Sequence, residues 1–455
     1  EVFGLKGDML NEPSPEDYTD SKIETHSDKE VPSIAIIPFE NKGADEDVFY
    51  AYGISADLIS DVTSAGLIRV ASKKQIEDVG ELPIDELAKK LDVRYMANGE
   101  LWRMGDMFQL SIELYDTKDK KVVWSDRWQE SWDNLTVIKG NLSDGLLKAL
   151  DTTSKVERKV ETTNPEAYEF YLKAKYAFER FMKLLDEENL QITRELVQKS
   201  IKLDTNLFAA QILFGTTYLY EYAVDTKKRA LLDKEANKIF TKTLQLAEKN
   251  GDALWIGRSL RNIGNSLFCG INTDKSYNYY LRALEISEKI GDKLGMRYCL
   301  HNMGVIYYNK GDFDKSVDYH QNALKRSEEI DNKQEIMASL SALSYVYVLK
   351  GDYEKSLEYS NCSLKISKEG NYLVNIWFST YNIGCAYFYQ GKYDLAKNYL
   401  EKALKITNEV SSRRLEPIFG TQTFLHLIYK KQGIKYDKKI ITNLLNKIDV
   451  SIISI

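Results

Sequence analysis

Four cysteines, four histidines and seven prolines are spread through 455 residues, and each scarcity closes off a class of protein. Cys269, Cys299, Cys362 and Cys385 stand far apart with no C-x-x-C pair. That excludes a disulfide framework or zinc knuckle and predicts free, buried thiols on helices in a reducing compartment, the cytoplasm first. No H-E-x-x-H zinc motif and no acidic calcium loop occurs, so neither a metal nor a cofactor is expected. No apolar run reaches about 18 residues, and "EVFGLKGDML" lacks the basic start and apolar core of a signal peptide, so no membrane partner is expected. Positive charge is not in excess either. With 62 Lys+Arg against 68 Asp+Glu the net charge is -6, which offers no basic surface to nucleic acid or an anionic membrane.

What is present is length and pattern. At about 150 residues per domain the chain should hold about three units. It begins with Glu1 and has no methionine before Met9, which leads to the expectation that it is a piece of a longer polypeptide. Residues 1–10 read as the end of an upstream domain. Residues 11–31, "NEPSPEDYTDSKIETHSDKEV", carry seven acids, two lysines and two prolines with few large aliphatics, the composition of an acidic, disordered linker.

Residues 32–151 alternate strand and helix signals. "SIAIIPF" is a continuous apolar run suited to a buried strand, and "FYAYGISADLISDVTSAG" spaces Ile54, Leu58, Ile59 and Val62 at helical intervals. Strand "LIRVAS" and helix "PIDELAKKLD" follow. Three strands then turn at Met104-Gly105-Asp106 and at Thr117 to Lys120, with Leu110, Ile112 and Leu114 alternating against polar residues. The closing "LTVIKGNLSDGLLKAL" reads as a helix. The order β-α-β-α-β-β-β-α implies a small α/β domain with a mixed sheet.

Beyond residue 165 strand signals cease and a period of forty appears. Tyr279, Tyr319, Tyr359 and Tyr399 recur at it, as do Gly311, Gly351 and Gly391, and Ala283, Ala323, Ser363 and Ala403. Such a period signals an all-α solenoid of stacked helix pairs. Small residues such as Gly304 and Ala323 should mark helix crossings, and Gly311 a left-handed helix end.

These landmarks resemble the tetratricopeptide repeat in a long-helix form, with about six repeats over residues 160–410. Residues 411–455 then form a degenerate repeat and cap. The resemblance implies a concave groove lined by the first helix of each pair. Counted from Gly304, groove residues are His301, Asn302, Val305 and Tyr308. Their counterparts are Arg261, Asn262, Asn265 and Phe268 in the preceding unit, Tyr345 in the following one, and Tyr381, Asn382, Cys385 and Phe388 in the next. Amides among aromatics suit a protein or peptide ligand. The family's ligand-holding asparagine falls on Asn262, Asn302 and Asn382, with Ala342 interrupting the series. The competing assignment gives these amides only to neighbouring helices.

A search for chemistry finds little. Ser55 in "YGISADL" sits at an apparent strand-to-helix turn but lacks the second glycine of G-x-S-x-G and a histidine partner. "GCAYFYQGK" ends like a phosphate loop, but its spacing is wrong and it lies in a helix. The loop after the first strand offers Gly43 and Lys42 against Glu40, Asp45, Glu46 and Asp47, which disfavours phosphate.

"SIAIIPFEN", "FYAYGISADLISDV", "RVASKKQI" and the three-strand segment through "VVWSDRW" together resemble the N-terminal domain of TolB and the FlgO-type family over residues 33–150. In bacterial signalling proteins that domain is followed by tetratricopeptide repeats and preceded by a class III cyclase, a kinase or a winged helix. "EVFGLKG" is similar to a cyclase domain's last strand. The resemblance implies a non-catalytic regulatory and protein-binding region acting on an upstream nucleotide cyclase. Two alternatives stand beside it: a self-association scaffold giving a homodimer, and a nucleotide-binding or hydrolase site at Ser55.

Overall fold

A computed structural model describes residues 32–64, 68–71, 73–80, 82–152, 162–184, 186–221, 229–268, 273–330, 332–370, 372–410 and 415–433. The two terminal stretches read from sequence as upstream remnant and linker, Cys269, and the last residues of the cap lie outside them.

The N-terminal unit is a mixed sheet in the order β3-β1-β4-β5-β6. The buried run becomes β1 (Ser33–Ile36) and pairs in parallel with β3 (Arg69–Ala71) and β4 (Tyr95–Met104). β4, β5 (Met107–Asp116) and β6 (Lys121–Ser131) form an antiparallel meander, with a register shift between Leu114 and Tyr115. The turns lie where glycine and a polar residue allow positive φ, at Gly105 (60°) and Lys120 (50°). A two-residue strand, β2 (Glu40–Asn41), also pairs with β4; the sequence gives no sign of it because two residues carry no period.

Strand alternation distributes the helices. Ile34 and Ile36 face α1 (Val48–Ser64) and α4 (Leu135–Ala149), while Ala35 and Met96 face α2 (Lys73–Val79) and α3 (Ile84–Leu91). α2 is a helix that the sequence reading passed over, since seven residues make under two turns of pattern.

The strand-to-helix turn expected at Ser55 is not there: Gly53 and Ser55 both lie inside α1, more than a turn from its start. A Cβ on Gly53 would come within 2.5 Å of Leu172 Cδ2, so its role is to admit α5 (Pro165–Leu184) close against α1.

From α5 onward the elements among the described residues are all helices. Pairs α5 with α6 (Glu187–Leu203), α7 (Phe208–Glu221) with α8 (Arg229–Asn250) and α9 (Ala253–Phe268) with α10 (Thr273–Ile290) come first. Then follow α11 (Lys293–Asn309) with α12 (Phe313–Glu329), α13 (Lys333–Lys350) with α14 (Tyr353–Glu369), and α15 (Leu373–Tyr389) with α16 (Tyr393–Val410). A single helix, α17 (Leu415–Gln432), packs on the last pair.

Glycine-aspartate turns delimit the helices. Gly291, Gly311 and Gly351 take φ of 76°, 76° and 84°. The aspartate after each caps the next helix: Asp292 accepts from the Gly295 N–H, Asp312 from Lys315 and Asp352 from Lys355.

The forty-residue period also governs packing within each pair. A Cβ on Gly264 would meet Tyr280, on Gly304 His320, and on Gly384 Leu400, all within 2.8 Å. Each glycine therefore faces a bulky residue sixteen positions on. The third unit has Ser344 facing Ser360 instead, hydroxyl to hydroxyl, so a small residue on one helix is matched to volume on the other. Ser360→Leu alone should overpack this crossing and cost about 1–3 kcal/mol. Adding Ser344→Gly, which recreates the Gly384–Leu400 pairing, should recover most of it. Urea unfolding of the two variants checks this; equal stability of both would refute the pairing rule.

The recurrent tyrosines meet across the same pairs: Tyr307 stacks on Tyr319 (5.4 Å) and Tyr347 on Tyr359 (5.6 Å), while Tyr387 and Tyr399 are tilted by 36° at 5.6 Å. Ala283, Ala323, Ser363 and Ala403 are all fully buried. Among the described cysteines Cys299 and Cys385 are buried, as expected, and burial pushes both thiols up to about 12. Cys362 corrects the expectation: it is exposed, because it falls on the outer side of α14.

Candidate functional site: the inner face of the helix pairs

Successive first helices of the pairs touch one another through the residues singled out from the period. Asn302 on α11 donates from Nδ2 to Asn265 Oδ1 on α9 (3.2 Å), which also accepts from the Tyr280 hydroxyl (2.7 Å). The Tyr308 hydroxyl lies 3.3 Å from that of Tyr345 on α13. Arg261 stacks on the Tyr298 ring at 5.1 Å. Tyr381 packs against Trp377 and against Phe424 of α17, and Phe388 against Phe424 at 5.1 Å.

The three asparagines of the series do not share one environment. Asn262 donates to the Arg258 carbonyl of its own helix (2.9 Å), and Asn302 spans two helices. Asn382 is 0% exposed, and its Nδ2 donates to the Ser341 carbonyl on α13 (3.2 Å) while its Oδ1 is buried without a partner. In this state its amide serves a helix contact. Phe268, His301, Tyr308, Tyr345, Tyr381 and Phe388 remain partly open.

The structure adds residues that the period could have supplied. Phe378, 44% exposed, lies toward the start of α15 against Trp377, and Tyr389, 47% exposed, stands with Phe388 and Phe424 in an open aromatic patch across α15 and α17. They align by steps of forty with Tyr298 and Ala338, and with Asn309 and Leu349. Neither set is uniform in residue type, so the register hid them.

Polar groups are concentrated in the middle of this face. Arg297 is buried and paired with Glu335 of α13, which also accepts from the Tyr298 hydroxyl (3.0 Å). Burial, and then Glu335, pushes the Tyr298 phenol up to about 12. His301 and His320 meet edge to face at 5.1 Å, and both Nδ1 atoms are buried without partners. Burial, followed by the charge of Arg297, lowers both imidazoles, His320 to about 4. They are neutral packing groups near pH 7.

Ser55 is buried in α1. Its hydroxyl donates to the Ala51 carbonyl (2.6 Å) and accepts from the Phe39 N–H (2.7 Å). That arrangement ties the loop after β1 to α1. In the same loop Lys42 pairs with Glu40 (2.6 Å), and Arg103 approaches Asp47 (3.5 Å). Among the described residues no group of three His, Cys, Asp or Glu could hold a metal, and no helix is long and apolar enough to cross a membrane.

Residues 269–329, 296–369 and 335–409 match the tetratricopeptide repeat family model. The chain is thus a small mixed-sheet unit followed by a helical solenoid that contains tetratricopeptide repeats. A curated relative from Rhizobium meliloti (strain 1021), named "Putative adenylate cyclase 3", is 24% identical over 199 residues, 42% of this chain and 33% of that protein. The chain therefore spans about a third of that relative's length.

Among solved structures, the apo form of the quorum sensor NprR from B. thuringiensis is similar at 16% identity and TM-score 0.46, covering 69% of this chain and 83% of that one. Apo RapI is similar at 18% identity and TM-score 0.43, covering 62% and 74%. TolB from Acinetobacter baumannii is similar at 18% identity and TM-score 0.22, covering 27% and 28%. At these scores the likeness is one of general course.

Proposed function

We propose that the chain is a regulatory region that binds a protein or peptide on the inner face of its repeats and modulates a nucleotide cyclase in the same polypeptide. The observation that carries the binding reading is the run of partly open aromatic and amide residues along successive first helices: Arg261, Asn265, Phe268, His301, Asn302, Tyr308, Tyr345, Tyr381 and Phe388. It ends in the exposed Phe378 and Tyr389. Aromatic surface with nearby amides and hydroxyls suits a ligand that offers apolar side chains and a main chain to hydrogen-bond. The cyclase part of the reading is supported by the relative named above and by the resemblance of residues 33–150 to a domain found beside cyclases.

Phe378→Ser with Tyr389→Ser removes exposed apolar surface, so stability should hold. Affinity for a peptide selected on an array against the whole chain should fall at least about tenfold, the scale of an interface hot spot. Unchanged affinity, or an array that yields no binder, overturns the groove reading. The cyclase reading is checked separately in the reading frame before Glu1. A cyclase-like domain with two metal-binding aspartates supports it, and its absence removes it.

A further inference from the structure

The α/β unit meets the solenoid along α5, near α11 and at the starts of α13 and α15, and α2 is also tied to α5 by the ion pairs Lys73–Glu179 (2.5 Å) and Glu77–Lys183 (3.4 Å); the contacts at the two ends differ in kind. At the first, α1 lies on α5 with Gly53 against Leu172 and Tyr52 edge-on to Tyr176 at 5.4 Å. One apolar cluster runs from Ile34 and Leu110 in the sheet through Tyr168 and Leu172 of α5 to Val197 and Ala210 of α6 and α7. This is a shared core.

At the second, 240 and more residues along the chain, the contacts described are polar. Gln75 on α2 donates to the Tyr372 hydroxyl at the start of α15, both side chains being buried, and Lys333, the first residue of α13, pairs with Asp92 at 2.7 Å. Asp92 ends α3 in the left-handed region (φ 53°) and also faces Arg69 at 3.7 Å. The apolar cluster beneath α2 and α3, from Ala35 to Met96, includes no residue of the solenoid.

We propose that this second contact is a releasable clasp, with the α/β unit fixed to the first helix pair and reversibly latched to the fifth and sixth. A contact of few polar groups without a common core costs less to open than a shared core, whose separation exposes a large apolar area. The clasp sits on α13 and α15, the helices that carry Tyr345, Tyr381 and Phe388. Latching therefore holds the starts of those helices and fixes how their inner faces are presented. A ligand that prefers another spacing of α13 and α15 shifts the clasp open, and an open clasp changes what the groove accepts. The regulatory meaning of the clasp rests on the groove reading; its existence does not.

The test needs no ligand. In the whole chain, Lys333→Ala with Tyr372→Phe should raise amide hydrogen exchange across residues 73–92 by about tenfold, leave α5 unchanged, and increase the radius of gyration in small-angle scattering. Gln75→Ala reaches the same contact from the other side and should act likewise. In the unaltered chain, raising salt from about 0.05 to about 0.5 M should move exchange in the same direction, because the Lys333–Asp92 pair is partly exposed. Unchanged exchange over residues 73–92 in both variants overturns the clasp, as does equal acceleration in α5. Peptide binding can succeed or fail independently of either result.

Discussion

Asp57→Ala should be among the most damaging single changes in the α/β unit, costing about 3–5 kcal/mol. Asp57 is buried on α1 and accepts from the Tyr168 hydroxyl (2.6 Å) and from Lys175 (2.5 Å), both on α5, with Lys139 of α4 at 3.4 Å. Burial alone would raise its carboxyl, but Lys139 and Lys175, with the hydrogen bonds from Lys175 and Tyr168, outweigh it and hold the group well below the usual range. Removing the carboxylate leaves two lysines with their charges largely out of water. Lys175 is the more exposed of the two and will recover some hydration, which places the expected loss toward the lower end.

The second helices of the later pairs contact only their neighbours, so the damage should stay local. Exchange should rise in α1 and α5 while α12, α14 and α16 keep their protection. Loss of less than about 1 kcal/mol in urea unfolding would show that the carboxylate is not the keystone of the shared core.

The second large effect is on pH. The imidazole of His320 is held at about 4, against about 6.5 in an unfolded chain. The unfolded state therefore takes up its proton first as pH falls. Stability is full above about 6.5, declines between 6.5 and 4, and levels off below, for a total of about 3 kcal/mol from this residue. His301 is shifted in the same direction and adds to the loss. Asp233 works the other way in this window, since burial, opposed by Arg229, raises its carboxyl to about 6.

The diagnostic quantity is thus the difference between the unaltered chain and His320→Leu, a residue that the repeat after next already accepts opposite its glycine as Leu400. The variant should lose a substantial part of the acid sensitivity in urea midpoints measured at pH 7.5, 6 and 5. An identical slope in both proteins would show that His320 is not the source.

The fold was legible from sequence where it rests on local repetition. Alternation at Leu110, Ile112 and Leu114 placed β5, and the forty-residue step of tyrosine, glycine and alanine placed the helix pairs. Elements too short to hold a period, β2 and α2, left no trace, and Ser55 was misplaced at a strand-to-helix turn because a glycine beside a helix start and one, like Gly53, that admits a neighbouring helix look alike in a string. The candidate groove was legible only as a register. That register located Asn262, Asn302 and Asn382 on equivalent turns, yet one amide bonds its own helix, one a neighbour, and one is buried against Ser341.

By itself, then, the sequence determined a mixed-sheet unit, a solenoid and the forty-residue spacing of its helix pairs, because those depend on interactions within one or two helices. Only the tertiary structure decided that Asp57 joins the two units, that His301 and His320 meet edge to face, and that Gln75 and Asp92 reach Tyr372 and Lys333. Such contacts come from how the helix pairs stack in space, and no local pattern encodes a neighbour 297 residues away.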